Sequence, residues 1–414
     1  MLGSVADDFT GATDLAGNWR SRGLKTAVLL GIPPAPLMDD LDGYDALVVA
    51  QKIRSVDADA ARTAARRAGE VLLDVGCTQI YDKYCSTFDS TPDGNIGPIA
   101  DELAELTGAE RAIIVPSFPD AGRTVYKGHH FVLDELLSES PMRHHPLNPM
   151  TDSSVVRLME AQTDRPVGKI VLEVVRQGPD ALRAALDEVG KDAFYIVVDA
   201  IDNDDLRIIA EATTQEKLVT GGSGIALGLP HRDTDLGQVE KIAGRKLVLS
   251  GSASAMTQRQ VAHGKAHLPH RKADVRELLT DMDHAVAEAC EWVRAQWAAD
   301  PDVAPLIYSV ESREDVDAAR AITDEASSLI ETYFGRIAAD LSDDGLRQIV
   351  VAGGETSGSV CEALDIRILD LGEQLAPGVS WLLGKSDSTE YNIVLKSGNF
   401  GHEDLFTSAW GELR

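Results

Sequence analysis

At 414 residues the chain exceeds what one hydrophobic core comfortably holds, and it suits two domains of roughly 150 to 250 residues with a cleft between them. Apolar residues make up 44% of it, which excludes a disordered chain, and the net charge of −28 is spread without an acidic block, which argues against a partner held by nucleic-acid phosphates. The same field opposes the phosphates of a nucleotide, so a nucleotide site has to be built from backbone N–H groups, a few cations and Mg2+, and has to be rich in glycine. Dense carboxylates also suit a salty habitat, an ordinary acidic enzyme being the alternative.

In chain order, a short apolar strand runs through Met1–Ala6 into Asp7 and Asp8, and Thr10-Gly11-Ala12 opens a helix. The pattern recurs. Thr26–Leu30, Ala46–Val49 and Ala112–Val115 read as strands, and the alanine-rich stretch Ala58–Leu73 reads as a helix. Gly128–Asp152 lacks periodicity and carries His129, His130, His144, His145, Pro146, Pro149 and Met150; it is expected to be a long loop or lid. Lys169–Val175 and Tyr195–Val198 resume as strands around a helix at Ala181–Val189, followed by a loop with Asp199, Asp202 and Asn203 and a flexible turn at Thr220–Gly224. A second domain starts near Lys246, with strands at Leu247–Ser250, Ile307–Val310, Ile349–Ala352, Ile368–Leu371 and Asn392–Leu395. The expected fold class is α/β: two α/β domains with largely parallel sheets, an inter-domain active-site cleft, and ligands at the carboxyl ends of the strands.

Cys77, Cys85, Cys290 and Cys361 are far apart and lack zinc spacing, so they read as buried free thiols. No signal peptide precedes the first motif and no apolar run reaches the roughly 18 residues of a membrane span. The expectation is a soluble, cytoplasmic protein with no membrane and no nucleic acid among its partners.

Three glycine-rich segments follow strands in the second half. Val351-Ala352-Gly353-Gly354-Glu355-Thr356-Ser357-Gly358 is the strongest phosphate candidate, running into a helix from Ser359 to Leu364. It is not a Walker A loop, because Ser359-Val360 stands where a Lys-Ser/Thr pair would be required. The segments around Ser250-Gly251-Ser252 and Ser397-Gly398-Asn399 repeat the theme, and three such loops on one sheet edge would build a nucleotide site. Each could alone be an ordinary turn.

The first half offers different groups: Asp7, Asp8, Arg54, Lys83, Ser86, Thr87, Asp89, Asn95 and Arg123, nearly all just after predicted strands. Cations for a carboxylate, with Asp, Ser, Thr and Asn for hydroxyls, suit an anionic, polyhydroxylated ligand. A carboxylate in reach of an accepting hydroxyl would serve phosphoryl transfer as base, Asp8 first and Asp7 second. The competing role for either aspartate is a helix cap. The pairs His129-His130 and His144-His145 lack the i, i+4 spacing of zinc sites and point to lid structure or substrate contact. No structural metal is expected, and Mg2+ only with the nucleotide.

Taken in order, these segments resemble the four-carbon acid sugar kinase family, and more closely its 3-oxo-tetronate kinase branch. The resemblance is carried by ADDFTGATDLA (Ala6–Ala16), KYCSTFDSTPDGNIGP (Lys83–Pro98), GRTVYKGHHFV (Gly122–Val132) and LLSESPMRHHPLNPMTDS (Leu136–Ser153), and by GGSGIALGLP, LSGSASAMTQRQVA, VAGGETSG and LKSGNFGHEDLF further on. It implies that residues 1–240 bind the acid sugar and residues 241–414 bind ATP, with transfer to the terminal 4-hydroxyl. On matching positions it implies ATP contacts at Ser250, Ser252, Gly353, Gly354, Glu355, Thr356 and Gly398, and sugar-acid contacts at Asp7, Asp8, Arg54, Lys83 and Arg123; the hydroxyls of Thr10 and Ser86 are further substrate-binding candidates. The chain departs from relatives at Ile53, Ser154 and Ala253, where they often carry serine, asparagine and cysteine.

Rival readings are a threonate or erythronate kinase of the same family, a non-catalytic ligand-binding protein, and a nucleotide-dependent oxidoreductase. The last is opposed by the lack of GxGxxG after the first strand. The oligomeric state, a homo-oligomer included, is left open.

Overall fold

The computed structural model describes residues 1–34, 41, 43–144, 148–376 and 378–413; His145 and Pro146 of the histidine-rich stretch lie outside the described residues. Contacts divide the chain into two units, Met1–Leu236 and Gly237–Arg414.

The first unit is built on β1 (Leu2–Ala6), β2 (Thr26–Leu30), β3 (Ala46–Ala50), β4 (Gln79–Lys83) and β5 (Ala112–Val115). A small sheet of β6 (Arg123–Tyr126), β7 (His129–Val132) and β8 (Glu135–Leu136) follows, and then β9 (Val167–Ile170), β10 (Tyr195–Val198) and β11 (Leu218–Gly221). In the main sheet the order is β2-β3-β1-β4-β11-β5-β10-β9 with every pair parallel. These strands read as continuous apolar runs because both faces are covered: all five residues of β2 and of β3 are buried. With all strands running one way, their carboxyl ends share one edge, and that edge collects the chemistry.

Three expectations for this half need correction. Gly128–Asp152 is not a plain loop: the turn at Lys127–Gly128 reverses the chain into the antiparallel sheet β6-β7-β8. Lys169–Val175 is not one strand, since β9 ends at Ile170 and a short helix takes Leu172–Val175. The cause is Asp199, whose carboxylate accepts from the N–H groups of Lys127 (2.5 Å), Gly128 (2.8 Å) and Leu172 (3.1 Å) and draws the chain out of the ladder. Thr220–Gly224 is not a flexible turn either: Thr220 and Gly221 close β11, and Ser223–Gly228 is a largely buried 3-10 helix.

The second unit contains β12 (Arg245–Ser250), β13 (His270–Lys272), β14 (Leu306–Tyr308), β15 (Leu346–Ala352), β16 (Ile368–Ala376), β17 (Val379–Lys385) and β18 (Glu390–Lys396). The order β13-β14-β12-β15-β18 is parallel, and β17 and β16 are added antiparallel. Both units are thus α/β with largely parallel sheets, as expected. The glycine segment after β15 is shorter than its sequence suggests: Gly353, at φ +125°, makes the turn alone and the helix starts at Gly354, running to Ala363. Thr356 and Ser357 therefore lie in the first helical turns and not in a loop.

Trp381 on β17 is buried in the second core, and its indole N–H donates to the Ala409 carbonyl at 3.0 Å. Trp381→Ala should lower unfolding free energy by about 3–5 kcal/mol in a denaturant titration, whereas Leu133→Ala, at a residue 73% exposed, should stay within about 0.5 kcal/mol.

Candidate functional site

In the first unit β1, β3 and β4 lie side by side in parallel register and end together, which places Asp7 and Asp8 beside Arg54 and Lys83. The Arg54 guanidinium donates from Nε and Nη2 to the two oxygens of Asp7, both at 2.7 Å, and its Nη2 also lies 2.5 Å from Asp8 Oδ2. Asn95 fixes the loop that carries Arg54: its Nδ2 donates to the carbonyls of Ile53 and Val56, both at 2.8 Å. Asp8 is also the N-cap of the helix Phe9–Ser21, its Oδ1 accepting from the Gly11 N–H and, at 3.2 Å, from the Thr10 hydroxyl. The cap and the site are therefore one feature. Glycine at position 11 is a matter of space, since a Cβ there would stand 2.9 Å from Asp8 Oδ1 and 3.0 Å from Lys83 Nζ.

The adjacent aspartates are driven apart. Burial pushes the Asp7 carboxyl up against the pull of Arg54. Burial acts on Asp8 in the same sense but is outweighed by Arg54, Lys83 and the Gly11 N–H, which together hold it below the usual carboxylate range. Asp8 is thus an ionised carboxylate with its side chain 28% exposed, while Asp7 at 5% is committed to Arg54. Lys83, buried, donates to the Tyr84 carbonyl at 2.7 Å.

Beneath this cluster is a cavity of about 20 Å³, room for one water, lined in part by Asp7, Arg54, Asp82, Tyr84 and Asn95. Asp82 is raised far above its usual value by burial and then by the charge of Asp7, and its Oδ2 has no partner among the described residues. Arg123 stands apart: burial lowers it, its Nε is buried without a partner, and it forms no ion pair with Asp7 or Asp8. Cys85 lies within electrostatic reach of both Arg54 and Arg123. Ser86 packs against Gly222, where a Cβ would come within 2.9 Å of the Ser86 Cβ. His130 is wholly buried, and burial holds it neutral with a pKa of about 4. The structure thus brings together Asp7, Asp8, Thr10, Arg54 and Lys83, while Ser86 and Arg123 make no hydrogen bond or ion pair with this cluster among the described residues.

In the second unit the three glycine segments converge at the ends of β12, β15 and β18. Gly251 and Ser252 both donate to the Ala352 carbonyl (2.9 and 3.2 Å), and Gly353 donates to the Lys396 carbonyl at 3.0 Å. Close approach makes glycine necessary twice: a Cβ on Gly251 would lie 2.1 Å from Thr356 Oγ1, and one on Gly398 would lie 2.8 Å from Ser252 Oγ. Two helices start here, one capped by Ser254 and the other, Gly354–Ala363, with no side-chain cap on its first N–H groups. Those free donors and the hydroxyl of Ser250, buried without a partner among the described residues, fit a phosphate-bearing ligand. Glu355 projects from the same first turn and is exposed.

Lys396 closes β18 beneath these loops. Fully buried, its ammonium donates to Thr257 Oγ1 (2.8 Å), Gln260 Oε1 (2.5 Å) and the Gly398 carbonyl (2.8 Å), with no carboxylate partner among the described residues. Burial pulls its pKa down to about 7. Sequence reasoning passed over Lys396, Asp82 and Asp14; the available signal was a charged residue at a buried strand position in the first two. Asp14, raised by burial, accepts from the Ser223 hydroxyl and marks only the inner face of its helix. Among the described residues no three His, Cys, Asp or Glu side chains gather as a metal-ligating group, and no helix is long and apolar enough to cross a membrane.

Residues 2–229 match the model of a sugar-binding N-terminal domain, and residues 247–406 match that of a nucleotide-binding C-terminal domain. A protein of Pseudomonas fluorescens named 3-oxo-tetronate kinase is 42% identical over 100% of this chain and 97% of its own. One of the same name from Salmonella typhimurium is 41% identical over 100% and 99%. Among solved structures, a Salmonella typhimurium LT2 protein described as a tRNA synthase superposes with a TM-score of 0.91 at 40% identity, covering 100% of this chain and 99% of that one. A Haemophilus influenzae protein of the DUF1537 family gives 0.85 at 38%, covering both chains fully.

The depressed pKa of Lys396 sets a sign for phosphate binding. Below pH 7 the ammonium is already charged; above it, an arriving polyanion restores the charge and takes up a proton, so affinity falls as pH rises from 7 to 9. Calorimetry of nucleoside triphosphate binding in buffers of different ionisation enthalpy should show this uptake in the wild type, and Lys396→Met should abolish it while weakening binding at pH 7 about tenfold.

Proposed function

We propose that this chain, which belongs to the four-carbon acid sugar kinase family, transfers the γ-phosphoryl group of ATP to the 4-hydroxyl of 3-oxo-tetronate. The observation that carries the reading is the presence of two sites of different kind. A carboxylate and cation cluster ends the first unit's strands, and glycine loops with one helix N-terminus lacking a side-chain cap end those of the second. Whole-length identity to proteins named 3-oxo-tetronate kinase supplies the substrate.

In this reading residues 1–240 hold the acid sugar and residues 241–414 hold ATP, as the two family models support. Arg54, Lys83 and Arg123 supply positive charge for the substrate carboxylate, with Thr10 and Ser86 for its hydroxyls. Ser250, Ser252, Gly353, Gly354, Glu355, Thr356 and Gly398 frame the phosphates. Attack of the 4-hydroxyl on the γ-phosphorus forms one O–P bond and breaks the bond to the bridging oxygen, releasing ADP. The hydroxyl proton is taken or directed by Asp8, with Asp7 holding Arg54 in place. A carboxylate held below the usual range is a weak base, so Asp8 acts mainly by orienting the hydroxyl, which a loose phosphoryl-transfer transition state allows. Mg2+ bound to the nucleotide would neutralise part of the charge on its phosphates. A cytoplasmic location accords with ATP as donor and with four free cysteines.

A coupled assay of ADP release on purified 3-oxo-tetronate, threonate and erythronate tests the substrate. The 3-oxo acid should show kcat/KM at least tenfold above the others; a preference for threonate or erythronate moves the chain to that branch, and no acid-dependent ADP release overturns the kinase reading. Asp8→Asn should lower kcat by about 100-fold or more with nucleotide binding intact, and near-normal turnover would remove Asp8 from the reaction.

A further inference from the structure

The cavity of about 20 Å³ beneath Arg54 is lined by two residues with a buried, unpaired polar atom: Asp82 Oδ2 and Asn95 Oδ1 have no hydrogen-bond partner among the described residues. The two residues are 1% and 4% exposed, so bulk water does not serve them. Asp82 precedes Lys83 on β4, and strand alternation turns its side chain to the opposite face of the sheet, under the helix Ile96–Thr107 whose N-cap is Asn95. Asp7 and Arg54 line the same space. Both amide hydrogens of Asn95 are directed to the Ile53 and Val56 carbonyls, so its Oδ1 can only accept. A polar space of this size suits one water.

Counting hydrogens identifies the donor. A water here has two to give, one for Asn95 Oδ1 and one for the Asp7 carboxylate. An ionised Asp82 would be a third acceptor with no hydrogen left for it, and a further negative charge beside Asp7 and Asp8. The nearby cations are engaged, Arg54 by both aspartates and Lys83 by the Tyr84 carbonyl. Across the cavity Asp89 accepts from the Thr87 hydroxyl, and on the overlying helix Asp101 is bound by Arg165 and Tyr195. Tyr81, Tyr84, Tyr195 and Cys85 add no charge, since burial holds each of them protonated. A neutral Asp82 supplies the missing donor, and burial followed by the charge of Asp7 pushes its carboxyl in that direction.

We propose that Asp82 is a positioning residue of the acid-sugar site: as a neutral acid it donates to one water in this cavity, which donates in turn to Asn95 and Asp7. It thereby braces from below both the loop that carries Arg54 and the carboxylate that Arg54 grips. The role rests on reading the first unit as the acid-sugar site, and its test separates the two. Asp82→Asn keeps a donor at this position and removes the ionisable group. The folded wild type retains a proton that the unfolded chain releases above about pH 4, a cost that grows with pH and that the variant escapes. Asp82→Asn should therefore melt about 2 °C or more above the wild type at pH 8, with a gap that narrows as pH falls to 5.5, and its KM for the sugar acid should stay within about threefold of wild type. A gap independent of pH overturns the neutral donor. Asp82→Leu, similar in volume but without a donor, should raise the KM for the sugar acid about tenfold while the KM for ATP stays within about twofold; an unchanged sugar-acid KM in the folded variant overturns the positioning role. Should the leucine variant fail to fold, the pH dependence of the asparagine variant's gap decides. Absence of acid-dependent ADP release by the wild type would count against the kinase reading, and the same gap would still sustain or overturn the donor role of Asp82.

Discussion

The first unit's site depends on the grip of Arg54 on Asp7. Two parallel N–H donors fix the guanidinium plane, and the third contact, to Asp8, leaves that carboxylate ionised and partly exposed. Removing one partner of so enclosed a pair costs about 3–5 kcal/mol, because the other is left as an uncompensated charge. The arrangement is held from behind: Asn95 pins the Ile53–Val56 backbone, and Asp8 is locked to the start of its own helix. A cation bound on one side by Asp7 can still face a substrate carboxylate on the other, which is how a chain of net charge −28 can present positive charge to an anion.

The second unit solves the same problem by other means. Lys396 has three neutral acceptors and no counter-ion among the described residues, so its charge would be worth most with phosphates nearby. Around it the donors are backbone N–H groups and hydroxyls, which carry no net charge and cost nothing in repulsion from the acidic surface. The orphaned Ser250 hydroxyl and the uncapped helix at Gly354 belong to this set. Groups left unsatisfied in the free protein are expected at a binding site and are rare elsewhere.

Strand positions were legible because fully buried parallel strands are apolar runs with sharp polar ends, as Thr26–Leu30 and Ala112–Val115 show. The sites were legible in part for the same reason: a residue just after a strand lies on the carboxyl edge whatever the rest of the chain does, which located Asp7, Asp8 and Lys83. What escaped depended on contacts distant in sequence. Asp199 ends β9 through bonds to Lys127, Gly128 and Leu172, and no local pattern announces that. The antiparallel pair β16-β17 and the strands of the histidine-rich stretch are set by pairing, not by periodicity. Lys396 was hidden because a lysine ending a strand is ordinarily solvated, and only the fold shows it enclosed.

Charge also decides which of the relatives' descriptions this chain can inherit. A tRNA partner would need a continuous basic surface, since its affinity comes from many phosphates contacted at once. Here 39 lysines and arginines are set against 67 aspartates and glutamates, and the cations of the first site are buried among carboxylates. A small anion sets a different requirement. Within about 8 Å, the Debye length at physiological salt, the groups lining a pocket outweigh the screened field of the distant surface. Arg54, Lys83 and Lys396, together with two helix N-termini, are the local donors proposed for a carboxylate and a triphosphate. The kinase reading is compatible with this acidity, because each of its proposed ligands would be met by local donors rather than by net charge.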